Sequence, residues 1–328
     1  MSKINSFALA DDKYMSSKKK GKLDDKYKIN ISKNTFKEYI DAGQSSSTKN
    51  AYAADLRHFF AHGGRIPCKP KLLAKYLAKA ANYGLSVATL ERRLSAIHKA
   101  HIKQKLQSPV RSETVKAVMH GIRRKRGVKQ RQVQPLTRDY LLLSLEYMSH
   151  DRISVKAVRD RALLLIGFAS AMRRSELVGV QVKHLNFFAK GLEIEIPLSK
   201  TDQESRGRII FIPKIDGDHC PVEALKKWLN LSKIDSGAVF RAVTRFGNIA
   251  QHGLSAQTVA LIIKEVVAHA GLNPENVSGH SLRSGYCTSA AEQGMQLWQI
   301  RQQTGHKSDA TLLGYIRSSS RKNIPSVL

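Results

Sequence analysis

The chain has 328 residues, enough for two domains that each bury a core, and carries 55 Lys and Arg against 26 Asp and Glu, a net charge of +29. That surplus points to a polyanionic partner, nucleic acid first, because each neutralised phosphate releases a condensed counterion; it suits a ribosomal or histone-like binder as well as an enzyme, so charge argues for binding and not for catalysis. No run of eighteen apolar residues occurs, and Cys68, Cys220 and Cys287 match neither a metal-ligand spacing nor a disulfide framework, which argues against a membrane span, a cysteine metal site and a secreted disulfide scaffold.

The opening MSKINSFALADDKYMSSKKKGKLDDKYK lacks the apolar core of a secretory signal, so the expected location is the reducing cytoplasm. Residues 1–34 are rich in Lys, Ser and Asp and read as a flexible basic tail. From 35 to 127 the apolar spacing is helical. Tyr52, Leu56, Phe59 and Phe60 form one stripe, and Leu72, Leu73, Tyr76, Leu77 and Ala80 a second. Leu90, Leu94, Ile97 and His101 follow a cap at Ser86, and Val115, Val118, Met119 and Ile122 follow one at Ser112. These predict a four-helix bundle. Its cations, Arg92, Arg93, Lys99, Lys103 and Lys105, then Lys116, Arg123, Arg124, Lys125 and Arg126, have almost no acidic residues among them. Singly each reads equally as a solvated face or a phosphate contact; together they predict a surface for a DNA backbone. The aperiodic GVKQRQVQP ends in a proline, and residues 128–136 read as an interdomain linker.

Beyond a cap at Thr137 the spacing is again mostly helical, over 141–147 and 155–171. The exception is 191–213, where two β-branched runs, 194–198 and 209–212, flank a polar turn and predict a hairpin. Helical spacing resumes at 222–231, 256–269, 284–293, 296–304 and 310–317. No internal repeat is present. The chain also lacks Gly-x-Ser-x-Gly, a P-loop and His-Glu-x-x-His, the parts of serine hydrolases, NTPases and zinc peptidases. Taken one by one, the polar residues of this half have plain readings. Tyr315 fits a packing aromatic beside Leu312, Leu313 and Ile316, Lys200 competes with Lys190 and Lys214 as a hairpin lysine, and Glu176 fits a helix ion-pair partner.

The segments RDRALLLIGFASAMRRSELVGV, LSKTDQESRG, GHSLRSGYCTSAAEQG and IRQQTGHKSDATLLGYIR resemble, in order, the signature blocks of the tyrosine recombinase (phage integrase) family. They cover most of 137–317; the helical region 35–127 resembles that family's core-binding (SAM-like) DNA-binding domain more loosely. The resemblance implies a mainly α fold with a small antiparallel β-sheet in the C-terminal domain, built as a two-domain DNA clamp: a helical core-binding domain plus a mixed α/β catalytic domain over 137–328. Carried over by motif, it places catalytic roles on Arg173, Lys200, His280, Arg283, His306 and the nucleophile Tyr315, with Glu176 in support. Ala171 stands where many relatives have glycine. The implied partners are double-stranded DNA and three further protomers, two per site in a synaptic homotetramer, with accessory DNA-bending proteins; no cofactor or metal is implied.

The chemistry calls for these residue types independently. A phenol of pKa near 10 is ionised in about one molecule per thousand at pH 7, a handicap of about 4 kcal/mol, so Tyr315 needs a base, the role His280 suits. Arg173 and Arg283 offer planar donor forks to the non-bridging oxygens of a phosphodiester, Lys200 a proton for the leaving 5′ oxygen, and His306 a further hydrogen bond to a phosphate oxygen. The expected function is site-specific recombination for integration, excision or resolution of a mobile element. A type IB topoisomerase, which relaxes DNA without exchanging strands, and a non-catalytic basic DNA-binding protein are the competing readings.

Overall fold

A computed structural model of the chain describes residues 38, 43, 45–128, 133–150, 154–196, 207–306 and 308–320. The predicted basic tail, the tip of the hairpin with Lys200, and most of the predicted linker's first half lie outside them. The chain divides into two compact units, Met1–Gln130 and Arg131–Leu328.

Among its described residues the first unit includes the helices α1 (Ser46–Ala61), α2 (Pro70–Asn82), α3 (Val87–Lys103) and α4 (Glu113–Arg126). Ser45, Ser86 and Ser112 each accept a backbone N–H three residues ahead, satisfying donors that a helix start leaves orphaned. The stripes read from the sequence meet in one core that includes Phe59, Leu73, Leu77, Leu90, Ile97, Val115 and Met119. Phe60, at 48 % exposure, and the half-buried Tyr52 are exceptions; the polar residue buried on α1 is Asp55. His101 is a core histidine, with Nδ1 on the Ile97 carbonyl at 2.8 Å and Nε2 accepting the Cys68 N–H at 3.2 Å.

In the second unit, α5 (Arg138–His150), α6 (Val155–Ala169) and the short α7 (Arg174–Gly179) precede a three-stranded antiparallel sheet, β1 (Leu185–Phe188), β2 (Gly191–Ile196) and β3 (Arg208–Pro213), in the order β1-β2-β3. Then come α8 (Pro221–Ser232), a two-stranded sheet of β4 (Arg241–Val243) and β5 (Ile249–Gly253), and α9 (Ala256–His269), α10 (Ser281–Glu292), α11 (Leu297–Thr304) and α12 (Asp309–Ser320). The predicted hairpin is β2–β3, in which Leu192 opposes Ile212 and Ile194 opposes Ile210, all four buried, while Ile209 and Phe211 point outward. The sequence reading missed β1, β4 and β5, whose three to five residues are too short to display a period of two. It also ran α6 two residues too far and missed α7. Ala171 takes a left-handed φ of 50°, which ends the helical path and lets the chain restart at Arg174.

The apolar surface of α6 extends round the helix, with Val158, Ala162, Leu163, Leu164, Leu165 and Ile166 buried, so it lies at the centre of this unit's core. One close approach fixes how the chain enters the unit. The Leu136 N–H donates to the Ser281 carbonyl at 2.9 Å, and a Cβ on Gly285 would stand 1.8 Å from the Leu136 carbonyl oxygen. Backbone cannot yield there without losing that hydrogen bond. Gly285→Ala is therefore expected to cost about 2–4 kcal/mol and to lower the melting temperature by roughly 5–10 °C; a thermal melt unchanged from the parent would contradict the packing described.

Candidate active site

Arg173 caps α7 in extended conformation (φ −68°, ψ 148°), and Glu176, three residues on, turns its carboxylate back to it. Glu176 accepts the Arg173 backbone N–H at 3.0 Å and its Nη1 at 2.6 Å, and takes Nη2 of Arg208 on the same carboxylate at 3.0 Å. Burial alone would push the Glu176 carboxyl up, but the Arg173 hydrogen bonds and the Arg208 and Arg173 charges hold it below the usual carboxylate range.

The spacing of His280 and Arg283 at the start of α10 puts both on one face, one turn apart. Arg283 is 1 % exposed. Its Nη1 donates to the carbonyls of Ala171 at 2.7 Å and Thr304 at 2.6 Å, and its Nη2 lies 3.0 Å from Nε2 of His306. Burial, then Arg173, lowers its pKa to about 10, which leaves it charged at neutral pH. The last turn of α11 thus presents its free carbonyls to cations, as a helix C-terminus should: Thr304 to Arg283, and Gln303 to Nη1 of Arg208 at 2.7 Å. Gly305 closes that helix at φ 67° and delivers His306; a Cβ there would meet Arg208 Nη1 at 2.8 Å.

Tyr315 comes from α12. Its Oη lies 2.7 Å from Nε2 of His280, and its ring stands 6.0 Å from the His280 ring and 5.8 Å from the His306 ring, centre to centre. Burial raises the Tyr315 pKa, partly offset by Arg283 and Arg173, so the phenol is protonated at rest. His280 keeps solvent on one side, yet desolvation on its protein side, then Arg283, Arg173 and Arg174, lower its pKa. A neutral imidazole thus stands against a neutral phenol. His306 is pushed down to about 4, first by burial and then by Arg283. Three guanidiniums against one carboxylate leave the site strongly positive, and the buried Nε donors of Arg208 and Arg283 have no hydrogen-bond partner among the described residues.

Six of the seven residues expected from the sequence are therefore brought together: Arg173, Glu176, His280, Arg283, His306 and Tyr315. Lys200 falls outside the described residues. The strands on either side of it are informative: the Ile196–Arg208 pair ends β2 and β3 beside Glu176, while Lys190 and Lys214 lie at the opposite end of the sheet, with Lys214 paired to Glu223 at 3.0 Å. In this arrangement Nε2 of His306 faces Nη2 of Arg283, and its Nδ1 faces Thr304 Oγ1 at 2.8 Å. Sequence reading missed Arg208. The signal was an arginine on the same face of β3 as the buried Ile210 and Ile212.

In the helical unit the basic set separates by environment. Lys99, Lys103, Arg124, Lys125 and Arg126 are exposed. Arg92 is exposed but bidentate on Asp55 at 2.7 and 2.9 Å, and Arg123 is held by Glu91 at 2.8 Å. Arg93 corrects the expectation of a surface cation: it is 8 % exposed, lies 3.5 Å from Asp55, and donates to the Tyr76 hydroxyl at 3.0 Å. A buried aspartate needs compensating charge, and Arg93 supplies it from inside. A basic concavity that sequence reading did not single out is lined by Arg65, Lys69, Lys71, Lys75 and Lys79 around Tyr76.

The sequence matches the phage integrase family over residues 142–322 and the phage integrase N-terminal SAM-like domain over 31–102. It is 36 % identical to an integrase/recombinase XerD homolog of Selenomonas ruminantium over 293 residues, 87 % of this chain and 85 % of that protein. The tyrosine recombinase XerC of Syntrophus aciditrophicus is 26 % identical over 305 residues, covering 85 % and 90 % of the two chains. Among solved structures, the fold resembles XerH bound to its palindromic difH substrate after cleavage (TM-score 0.62, 21 % identity, 84 % of this chain and 77 % of that one) and a lambda integrase dimer bound to a core site (TM-score 0.62, 18 % identity, 89 % and 77 %). No helix among the described residues is long and apolar enough to cross a membrane.

Proposed function

The chain belongs to the phage integrase family and is a tyrosine-type site-specific recombinase, and from that premise we propose that it exchanges strands through a 3′-phosphotyrosine intermediate and a Holliday junction, in the integration, excision or resolution of a mobile element. The observation that carries the reaction is the 2.7 Å contact between His280 Nε2 and Tyr315 Oη inside a frame of arginines. His280 takes the phenolic proton as Oη attacks the scissile phosphorus. The new P–O bond to Tyr315 forms as the bond to the 5′ oxygen breaks, and the leaving oxygen collects a proton from Lys200. That role suits Lys200 because the segment bearing it departs from Ile196 and returns at Arg208, whose guanidinium already touches Glu176. The positive excess opposes the charge that builds on the non-bridging oxygens, with the guanidiniums of Arg173 and Arg283 as the planar donor forks. The 5′-hydroxyl of a partner duplex then reverses the step, so the bond energy is conserved without ATP.

Lys99, Lys103, Arg124, Lys125 and Arg126 would follow the phosphate backbone, with Arg92 and Arg123 as weaker contacts because each already shares a carboxylate. Synapsis of two duplexes calls for four protomers, two per site, aided by DNA-bending proteins, in the cytoplasm. The test is incubation of the purified chain with nicked duplexes from DNA flanking its gene, followed by a detergent quench. A covalent adduct at a 3′ phosphate supports the reading. Tight binding with no adduct on any duplex would favour a non-catalytic binder, and plasmid relaxation without recombinant products a topoisomerase.

A further inference from the structure

We propose that Thr304 is a positioning residue for the strand-transfer site: its hydroxyl takes the Nδ1–H of His306 and so turns the Nε2 lone pair of that ring toward Arg283. The role rests on the reaction proposed above, but the geometry stands apart from it. Two constraints fix the same tautomer. A guanidinium can only donate, so the His306 nitrogen 3.0 Å from Arg283 Nη2 must present a lone pair, and in a neutral imidazole the proton is then on Nδ1. Independently, Thr304 Oγ1 lies 2.8 Å from that Nδ1 and gives its own hydrogen to the Ile300 carbonyl at 2.7 Å, so it can only accept from the ring. An imidazolium would set N–H against N–H at Arg283, in keeping with the depressed pKa of His306.

Thr304 is fully buried, and its main chain acts on the same pair, because its carbonyl takes Arg283 Nη1 at 2.6 Å. One residue therefore holds both Arg283 and His306, and an arriving phosphate oxygen meets a guanidinium already fixed in plane. Without the hydroxyl, the ring is free to rotate or to move its proton to Nε2, and an Nε2–H would repel Arg283 from its position.

The test compares full-length wild-type protein with Thr304→Val, which removes the hydroxyl at nearly constant volume, and Thr304→Ser, which restores it. Adduct formation on nicked duplex, affinity for intact duplex, and the ¹⁵N signals of the His306 imidazole in DNA-free protein, assigned with His306→Gln, are read on each. For Thr304→Val the expected result is loss of the single Nδ1–H tautomer and about a tenfold slower adduct, with duplex affinity within about twofold; Thr304→Ser recovers both. A Val variant that reacts at the wild-type rate or keeps the tautomer overturns the proposal, as does a Ser variant as slow as Val, since packing of the methyl group would then be responsible. Wild-type protein that forms no adduct overturns the positioning role together with the reaction, and is told apart because the failure is then not confined to the variant.

Discussion

Tyr315→Phe is expected to abolish the covalent DNA adduct while leaving affinity for an intact duplex within about twofold, since phosphate contacts and not a neutral phenol carry the affinity. The loss is absolute for this chemistry: phenylalanine occupies the same space beside His280 and His306 but has no oxygen to form the P–O bond, so at least about a 10⁶-fold acceleration is forfeited. Folding is expected to hold, because the hydroxyl is removed from a site where its hydrogen-bond partner, His280, retains solvent. Detergent-resistant adduct on nicked duplex, resolved by denaturing electrophoresis, is the measurement. An adduct that persists in the variant would show that another side chain is the nucleophile.

His280→Asn is expected to slow adduct formation about 10²- to 10⁴-fold and to change the shape of the pH profile as well as its height. The His280 pKa lies below 6.5 in the folded protein, so the wild-type imidazole is an available base throughout the neutral range. The wild-type rate should therefore be flat around pH 7 and fall only as pH drops through that lowered pKa. In the variant the imidazole 2.7 Å from the phenol is gone, and reaction depends on the fraction of phenolate present. Burial holds the Tyr315 pKa above its ordinary value of 10, so the variant's rate should climb about tenfold per pH unit across the neutral and alkaline range without levelling. A variant profile parallel to that of the wild type would mean that His280 does not take the proton.

The parts of the fold legible in the chain were those set by neighbours in sequence. Ser86 and Ser112 cap the helices they precede because an N-cap is a contact between residues three apart. The β2–β3 hairpin is visible as alternation, and His280 with Arg283 as one helical turn. The six expected residues that meet in space, Arg173, Glu176, His280, Arg283, His306 and Tyr315, were equally accessible, since they lie in three short blocks.

Tertiary structure alone decided which charges face the reaction and which are spent within the fold. Arg92 and Arg93 are adjacent in the helical unit, yet one is exposed and the other buried, because Asp55, nearly forty residues earlier, is carried by α1 to where α3 must neutralise it. Arg208, which sequence reading missed, becomes a partner of Glu176, and Thr304 reads as the end of a helix and becomes the acceptor that sets the tautomer of His306. The chain by itself therefore determined the longer helices, the β2–β3 hairpin and the blocks that hold most of the residues meeting at the site, whose rules span three or four positions; the short strands, protonation, tautomer and pairing were decided only when distant segments met, because they depend on distances between atoms that the spacing of residues along a chain does not specify.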